Sequence, residues 1–352
     1  MSSSQIEIRT LSGTEISEHL PRWAAFVEEL GYRSPSRHPG WLAVLAQGLK
    51  QQPYCLAATA GEQIVGLLPL VYLRSRLFGR FLVGMPYLNV GGVLAEEASV
   101  AAALVDRAVE LADRLDVKYL ELRHEQPIEH PALGEQLGSK VHMRLALPAT
   151  GDELWASFKP KVRNQIRKAE KLGLSVQWGT QELLPEFYAV FARNMRDLGT
   201  PVFGRSLFRA ILTQFPGVAE LCVVRTGDRP IAAAVLVHGP GMTEVPSASS
   251  LRQYNATNAN MLMYWHMLCR SIERGQQQFD FGRSTIDSNT YRFKKQWGAQ
   301  PAPAVWQYYV RRGSIGDMRP ENRRYRLMIR VWQHLPVGLT RLLGPPIVRG
   351  IP

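Results

Sequence analysis

Apolar residues recur along the chain with two distinct periods. In SVAAALVDRAVELADRLD (99–116), Leu104, Val105, Ala108, Leu111, Ala112 and Leu115 fall at three- and four-residue steps, which predicts a helix with one buried face. LPRWAAFVEEL (20–30), GWLAVLAQGL (40–49) and ANMLMYWHMLCRSIER (259–274) predict three more helices, the last stopping at Gly275. Shorter apolar runs bounded by turn residues predict strands. PYCLAAT (53–59) and QIVGLLPLVYL (63–73) flank Ala60-Gly61-Glu62, and ELCVVRT (220–226) and PIAAAVLVH (230–238) flank Gly227-Asp228, giving two expected hairpins. RFLVGMPYLNVGGVLA (80–95), VKYLELR (117–123), VHMRLALP (141–148) and QQFDFGR (277–283) add further strands.

Two of these features repeat in the same order. The turn at Gly61 returns at Gly227, and Leu120-Glu121-Leu122 returns as Phe279-Asp280-Phe281, at offsets of 166 and 159 residues. Similar offsets for ordered features argue for an internal duplication. The expected fold class is therefore mixed α/β, built as two similar units over 1–150 and 151–310 with a tail over 311–352. The hairpins require antiparallel pairing, and no glycine fingerprint joins an opening strand to a helix, so a dinucleotide-binding fold is not expected.

Composition narrows the class. With 45% hydrophobic residues in 352, the chain can bury a large core, which excludes a disordered chain or a small disulfide-stapled module. Cys55, Cys222 and Cys269 are widely spaced and show no metal-ligand pattern, so reduced thiols and no metal are expected. Neither a secretory signal nor an apolar run of about 18–20 residues is present, which points to the cytoplasm. Charge is uneven: residues 1–150 hold 14 Lys/Arg against 16 Asp/Glu, leaving 28 against 14 for the rest of the net +12 chain. That second-half excess suits phosphates, nucleic acid or an anionic membrane surface.

Part of the excess sits on SFKPKVRNQIRKAEKLG (157–173), an expected helix capped by Ser157 and ended by Gly173. Lys159, Arg163 and Arg167 lie four apart and share a face, where an anionic ligand would relieve their mutual repulsion. A solvated surface accounts for the same pattern. The segment lacks the aromatic interleaving of a single-strand binder, and no helix-turn-helix or zinc-finger signal suggests DNA.

A second concentration is FDFGRSTIDSNTYRFKKQWG (279–298). Asp280 ends a strand, Arg283 follows in the turn, and Tyr291, Arg292, Lys294 and Lys295 come after it. A carboxylate at a strand end followed by lysines suits orienting an amine and holding a carbonyl oxygen, phosphate or carboxylate. The plainer reading makes Asp280 a turn cap and the lysines surface groups.

KPKVRNQIRKAEKLGL (159–174), ANMLMYWHMLCRSIERGQQQFDFG (259–282) and RFKKQWGAQ (292–300) resemble the basic helix and C-terminal signature of the FemAB-like branch of the GNAT superfamily. The tail ENRRYRLMIRVWQHLPVGLTRLLGPPIVRGIP (321–352) is similar to that of FemAB-like proteins associated with PEP-CTERM/exosortase and exopolysaccharide systems. The resemblance implies tandem GNAT-like acyltransferase domains. It further implies acyl or aminoacyl transfer to an envelope or exopolysaccharide intermediate, the acceptor being an anionic or lipid-linked saccharide or peptide. Characterised FemAB relatives use aminoacyl-tRNA and a peptidoglycan precursor; other tandem relatives are acetyltransferases. The donor stays open between acyl-CoA and aminoacyl-tRNA, with tRNA expected only as an aminoacyl carrier. A non-catalytic scaffold of the exopolysaccharide machinery is the rival class.

On this reading Asp280, Lys294 and Lys295 are the expected catalytic groups, acting by direct transfer within one cleft. Lys159, Arg163 and Arg167 would bind an anionic substrate, and Tyr254, Asn255, Arg283, Tyr291 and Arg292 would line the site. The tail carries 9 Lys/Arg against 2 Asp/Glu over 311–352, with Leu327, Val331, Trp332 and Leu335 in an amphipathic stripe. Peripheral contact of 321–352 with an anionic inner membrane, packing on the core and oligomerisation all fit that pattern.

Overall fold

The computed structural model describes residues 5–138, 140–315 and 323–352. In chain order the first part runs β1 (Ile6–Ser12), α1 (Thr14–Glu29), α2 (Trp41–Leu49), β2 (Gln52–Ala60), β3 (Gln63–Ser75), β4 (Gly79–Val83), β5 (Leu94–Ala95), α3 (Ala98–Arg114), β6 (Tyr119–His124), β7 (Glu135–Leu137) and β8 (Lys140–Ala146). Next come α4 (Gly151–Ser157), α5 (Pro160–Lys171), β9 (Ser175–Gly179), α6 (Leu184–Leu198), α7 (Arg205–Gln214), β10 (Ala219–Thr226), β11 (Arg229–His238) and β12 (Met242–Ser250). The chain continues through α8 (Ala259–Glu273), β13 (Gln278–Thr285), α9 (Asn289–Gln296), β14 (Gln300–Pro303) and β15 (Val305–Val310) to α10 (Arg323–His334) and α11 (Val337–Val348).

The strands form two sheets of matching order, β1-β2-β3-β4-β6-β15-β7 and β9-β10-β11-β12-β13-β8-β14, with β5 paired to β3 off the first path. Both expected hairpins are present as antiparallel pairs β2/β3 and β10/β11. In each sheet one helix crosses over to a parallel neighbour, α3 between β4 and β6 and α8 between β12 and β13. Crossovers of that length are what parallel pairing demands. The two sheets are thus similar units flanked by helices.

The sheets also exchange a strand. β8 sits beside β13 in the second sheet, and β15 sits beside β6 in the first. Sheet membership therefore does not follow the divisions at residues 150 and 310. The exchange ties the halves together, because each sheet is complete only with a strand from the other half of the sequence.

Side-chain alternation explains why β10 and β11 read as continuous apolar runs. Successive strand residues face opposite sides. Val223, Ala233 and Val235 pack into a central core with α1, α2, α6 and α7, while Cys222, Val224, Ala232 and Ala234 pack outward against α4, α5 and α8. Cys55, Leu67 and Val71 of the first sheet join the same central core, and Leu56, Leu68 and Leu70 pack under α3. With both faces covered, polar alternation disappears.

Two expectations need correction. The helix expected over 157–173 breaks at Phe158 and Lys159, both extended, and α5 starts at Pro160. A proline disfavours helical backbone in the residue before it and is well placed at the first helical position. The expected strand over 80–95 ends at Val83, residues 84–93 run irregularly beside β6, and only Leu94–Ala95 returns to the sheet as β5.

Candidate functional site

The site begins where β12 and β13 part. They pair in parallel only over Met242–Glu244 and Gln278–Asp280. Beyond that point β12 stays with β11, and β13 stays with β8 after a register shift between Asp280 and Arg283. Gly282 occupies this shift with φ +80°, a left-handed conformation that L side chains rarely adopt.

The equivalent opening in the first sheet is closed by its own chain. Gly84 N donates to Glu121 O at 2.8 Å, and Gly91 and Arg123 exchange backbone hydrogen bonds of 2.9 and 3.0 Å. The close approach needs glycine: a Cβ on Gly84 would lie 2.0 Å from Gly91 O. No strand covers β13 in that way among the described residues.

Asp280 is fully buried in the second opening. Its Oδ1 accepts from Gly282 N at 2.6 Å and its Oδ2 from Arg144 Nε at 3.1 Å. Arg144 also pairs with Glu125 at 2.6 Å, and Glu125 with Arg37 at 2.7 Å. Beside Asp280 in the register lies Glu244, whose carboxylate accepts from the hydroxyls of Ser34 and Ser36. Burial, followed by the charge of Asp280, pushes the Glu244 carboxyl up to about 7. Burial and a neighbouring like charge both disfavour the ionised form of that carboxyl.

Lys294 approaches from α9, a helix capped by the Ser288 hydroxyl, which accepts from Tyr291 N at 3.2 Å. Its Nζ donates to the carbonyl oxygens of Gly282 at 2.9 Å and Arg283 at 3.0 Å. An ammonium has three donors, so one N–H is left without an acceptor among the described residues. Burial pulls the Lys294 ammonium down to about 8, against the opposing charge of Asp280. Asn89, from the closing segment of the first half, faces the same glycine: a Cβ on Gly282 would sit 3.7 Å from Asn89 Oδ1 and 3.9 Å from Lys294 Nζ.

The expected site residues separate into three groups. Asp280, Arg283 and Lys294 meet around Gly282, with the Arg283 guanidinium 4.1 Å from the Trp306 ring centre and pulled down to about 9 by burial. Tyr291 is buried on the same helix, whereas Arg292 and Lys295 are exposed; Lys295 Nζ lies 5.7 Å from the Tyr291 ring centre. Tyr254 and Asn255 line a cavity of about 280 Å³ at the N-terminus of α8, together with Asn258, Asn260, Gln165 and Phe293. Phe293 and Lys294 are consecutive on α9, so one short helix borders both the cavity and the Gly282 centre.

Lys159, Arg163 and Arg167 do not join that cavity wall. Successive helical residues turn by about 100°. Gln165 then falls on one flank of the buried Val162, Ile166 and Ala169, Arg163 and Arg167 fall on the other, and Lys159 precedes the helix. Gln165 Oε1 is buried without a hydrogen-bond partner, and Arg167 lies 5.3 Å from the Trp155 ring centre. A larger cavity, about 430 Å³, is lined by Val27, Tyr32, Phe215 and Val237 and holds none of the expected site residues.

Sequence reasoning missed Glu244, Ser34, Ser36, Asn89, Arg144 and Gln165. Gln165 alone carried a local signal, its place inside the basic helix. The others come from distant segments that only the topology brings together. Among the described residues, no group of three or more His, Cys, Asp and Glu side chains is arranged to hold a metal ion.

Comparison with known proteins matches this architecture. Residues 156–295 match the model of the acetyltransferase (GNAT) domain. FemX has a TM-score of 0.64 at 16% identity, over 86% of this chain and 97% of that one. The tandem GNAT protein from the clavulanic acid biosynthesis pathway gives 0.56 at 13%, over 88% and 100%. L-PGS from Bacillus licheniformis gives 0.55 at 12%, over 92% and 96%. No curated protein matches the sequence. The fold is therefore a tandem GNAT-like one, and residues 156–295 carry a GNAT-like acyltransferase domain.

Proposed function

We propose that this protein transfers an aminoacyl group to an amine on a cell-envelope or exopolysaccharide intermediate, and that the second half holds the reacting centre. The observation carrying the proposal is the free N–H of Lys294, held by the Gly282 and Arg283 carbonyls at the open end of the second sheet. A fixed, buried donor is the arrangement that stabilises a carbonyl oxygen as it gains charge. The closed first sheet supports assigning catalysis to the second.

In this reading the neutral acceptor amine attacks the donor carbonyl, a C–N bond forms, and the C–O bond of the donor ester breaks. The amine loses a proton and the leaving oxygen gains one. A lysine near pKa 8 is mostly protonated at neutral pH yet able to pass a proton to that oxygen and recover one from the amine. Asp280 is a positioning residue: with both oxygens engaged, it fixes the irregular stretch of β13 whose carbonyls hold Lys294. The cavity at the α8 N-terminus would take the donor, with the helix dipole favouring a phosphate and Gln165 offering an unused acceptor to a hydroxyl. Lys295 and Arg292, exposed at the rim, would meet the anionic acceptor.

The FemAB resemblance supports an aminoacyl donor. So does the 252–257 connection entering α8, which contains no glycine and presents Tyr254 and Asn255 rather than a bare amide loop. An acetyl donor is the second reading, favoured by the acetyltransferase model over 156–295. The test incubates the protein with radiolabelled aminoacyl-tRNA or acetyl-CoA and an envelope extract. Transfer of the aminoacyl label, lost in Lys294→Met and slowed in Gln165→Leu, is the expected result. Acetyl transfer alone overturns the donor, and no transfer from either rejects the enzyme reading.

A further inference from the structure

Helices α10 and α11 lie on α6, each by one side. Ile329 packs over Gly199, where an added Cβ would come within 2.5 Å of its Cγ2, and Gln333 Nε2 donates to Asp197 O at 3.3 Å. Arg196 donates to Leu335 O at 3.0 Å, and Gly344 sits against Val202 on the same side of α11 as the buried Thr340 and Val348. Packing on the core, one of the tail's expected roles, is thus present and uses these inward side chains.

The opposite side is apolar and uncovered. Leu327, Met328 and Val331 on α10 are 69%, 62% and 54% exposed, and Leu339, Leu342 and Leu343 on α11 are 39%, 72% and 41% exposed. These are six of the twelve large apolar side chains exposed among the described residues, gathered within residues 327–343. On each helix these residues fall on the side away from the ones that meet the core. Scattered exposed leucines are ordinary, but a patch of this kind marks an interaction surface.

Charge selects the occupant. From Arg323 to the end the sequence contains Arg323, Arg324, Arg326, Arg330, Arg341 and Arg349 and no aspartate or glutamate. Arg330, His334 and Arg349 are exposed. A second copy would bring like charges together, whereas an anionic bilayer supplies apolar depth and neutralising headgroups at once. No helix among the described residues is long and apolar enough to cross a membrane, so the contact is one of lying on the surface.

We propose that the outward face of α10 and α11 is a docking surface for an anionic lipid bilayer. This inference stands apart from the acyltransferase reading. Co-sedimentation of the full chain with vesicles of phosphatidylglycerol and phosphatidylcholine, and of phosphatidylcholine alone, tests it. Binding to the anionic vesicles is expected to be at least tenfold tighter and to weaken as salt rises. The double variant Val331→Glu, Leu342→Glu should lose at least tenfold with its melting temperature unchanged, and Arg330→Gln with Arg349→Gln should lose the anionic preference. No binding at low salt, or equal binding by the glutamate variant, overturns the proposal. So does a dimer in light scattering that the glutamate variant dissolves, which would give the face to a second copy.

Discussion

The Lys294 ammonium donates to the Gly282 carbonyl at 2.9 Å, while the Gly282 amide donates to Asp280 at 2.6 Å. One glycine thus links a buried cation and a buried anion through its two backbone polar groups. Neither side chain needs to touch the other for each to fix the other's place.

Replacing Lys294 should separate chemistry from folding. Lys294→Met removes a buried charge and leaves two carbonyls without their donor; the expected loss in transfer rate is about a hundredfold or more, from one lost oxyanion donor. Circular dichroism and a thermal melt should show a folded protein. Binding of the donor should change little, so kcat falls far more than KM rises.

The pH profile follows from the same residue. Burial brings the Lys294 ammonium down to about 8, so the donating form is lost as pH rises through that value. Transfer is expected to decline above about pH 8 in the wild type. The sign for stability is opposite: between about 8 and the unfolded value the unfolded chain binds more protons, so this group's contribution to stability rises with pH. A flat rate profile from pH 7 to 10 would reject Lys294 as the titrating donor.

Gly282→Ala should act on the site through the backbone. The φ of +80° costs a non-glycine residue about 1–2 kcal/mol, although a Cβ would meet its neighbours only at ordinary contact distances. A modest drop in melting temperature is expected with a tenfold or larger fall in transfer, because the carbonyls that hold Lys294 move. Equal activity at a lowered melting temperature would make the glycine purely structural.

Glu244 offers a stability test independent of activity. Its carboxyl is pushed up to about 7 in the folded chain, so the folded state binds the extra proton between about 4.5 and 7, and stability from this group falls as pH rises across that window. Glu244→Gln keeps acceptor and shape without the charge. Its melting temperature relative to wild type should rise by about 2 °C or more between pH 5 and 7.5.

Closing the first sheet depends on close backbone contact, so Gly84→Ala should be among the most damaging small substitutions. The added Cβ would lie 2.0 Å from Gly91 O, well inside any real contact. A destabilisation of about 3 kcal/mol or more is expected, measured by urea unfolding.

Much of this fold is legible in the order of residues. The 3.6-residue stripe of α3, the two hairpins and the repeated apolar-acid-apolar strand all appear locally, because periodicity records which faces are buried whatever covers them. Asp280, Arg283 and Lys294 were also legible as a cluster, being near one another in sequence. β12 was not: MTEVPSASS is small, polar and interrupted by Pro246, and its place as a buried strand comes from its neighbours. The direction of the basic helix was half legible, since spacing assigns residues to flanks but cannot say which flank meets the cavity.

What the sequence by itself determined is the set of elements, their doubled order and the local chemistry around Gly282. Tertiary structure alone decided the exchange of β8 and β15, the closure of the first sheet by residues 84–91, and the meeting of Asn89, Ser34 and Ser36 with the second sheet. The physical reason is the range of the interactions. Helix and strand patterns reflect neighbours a few residues apart, whereas the strand exchange and the Ser34, Ser36 and Asn89 contacts join segments more than a hundred residues apart, and the closure joins segments more than thirty apart, with no periodic trace in any of them.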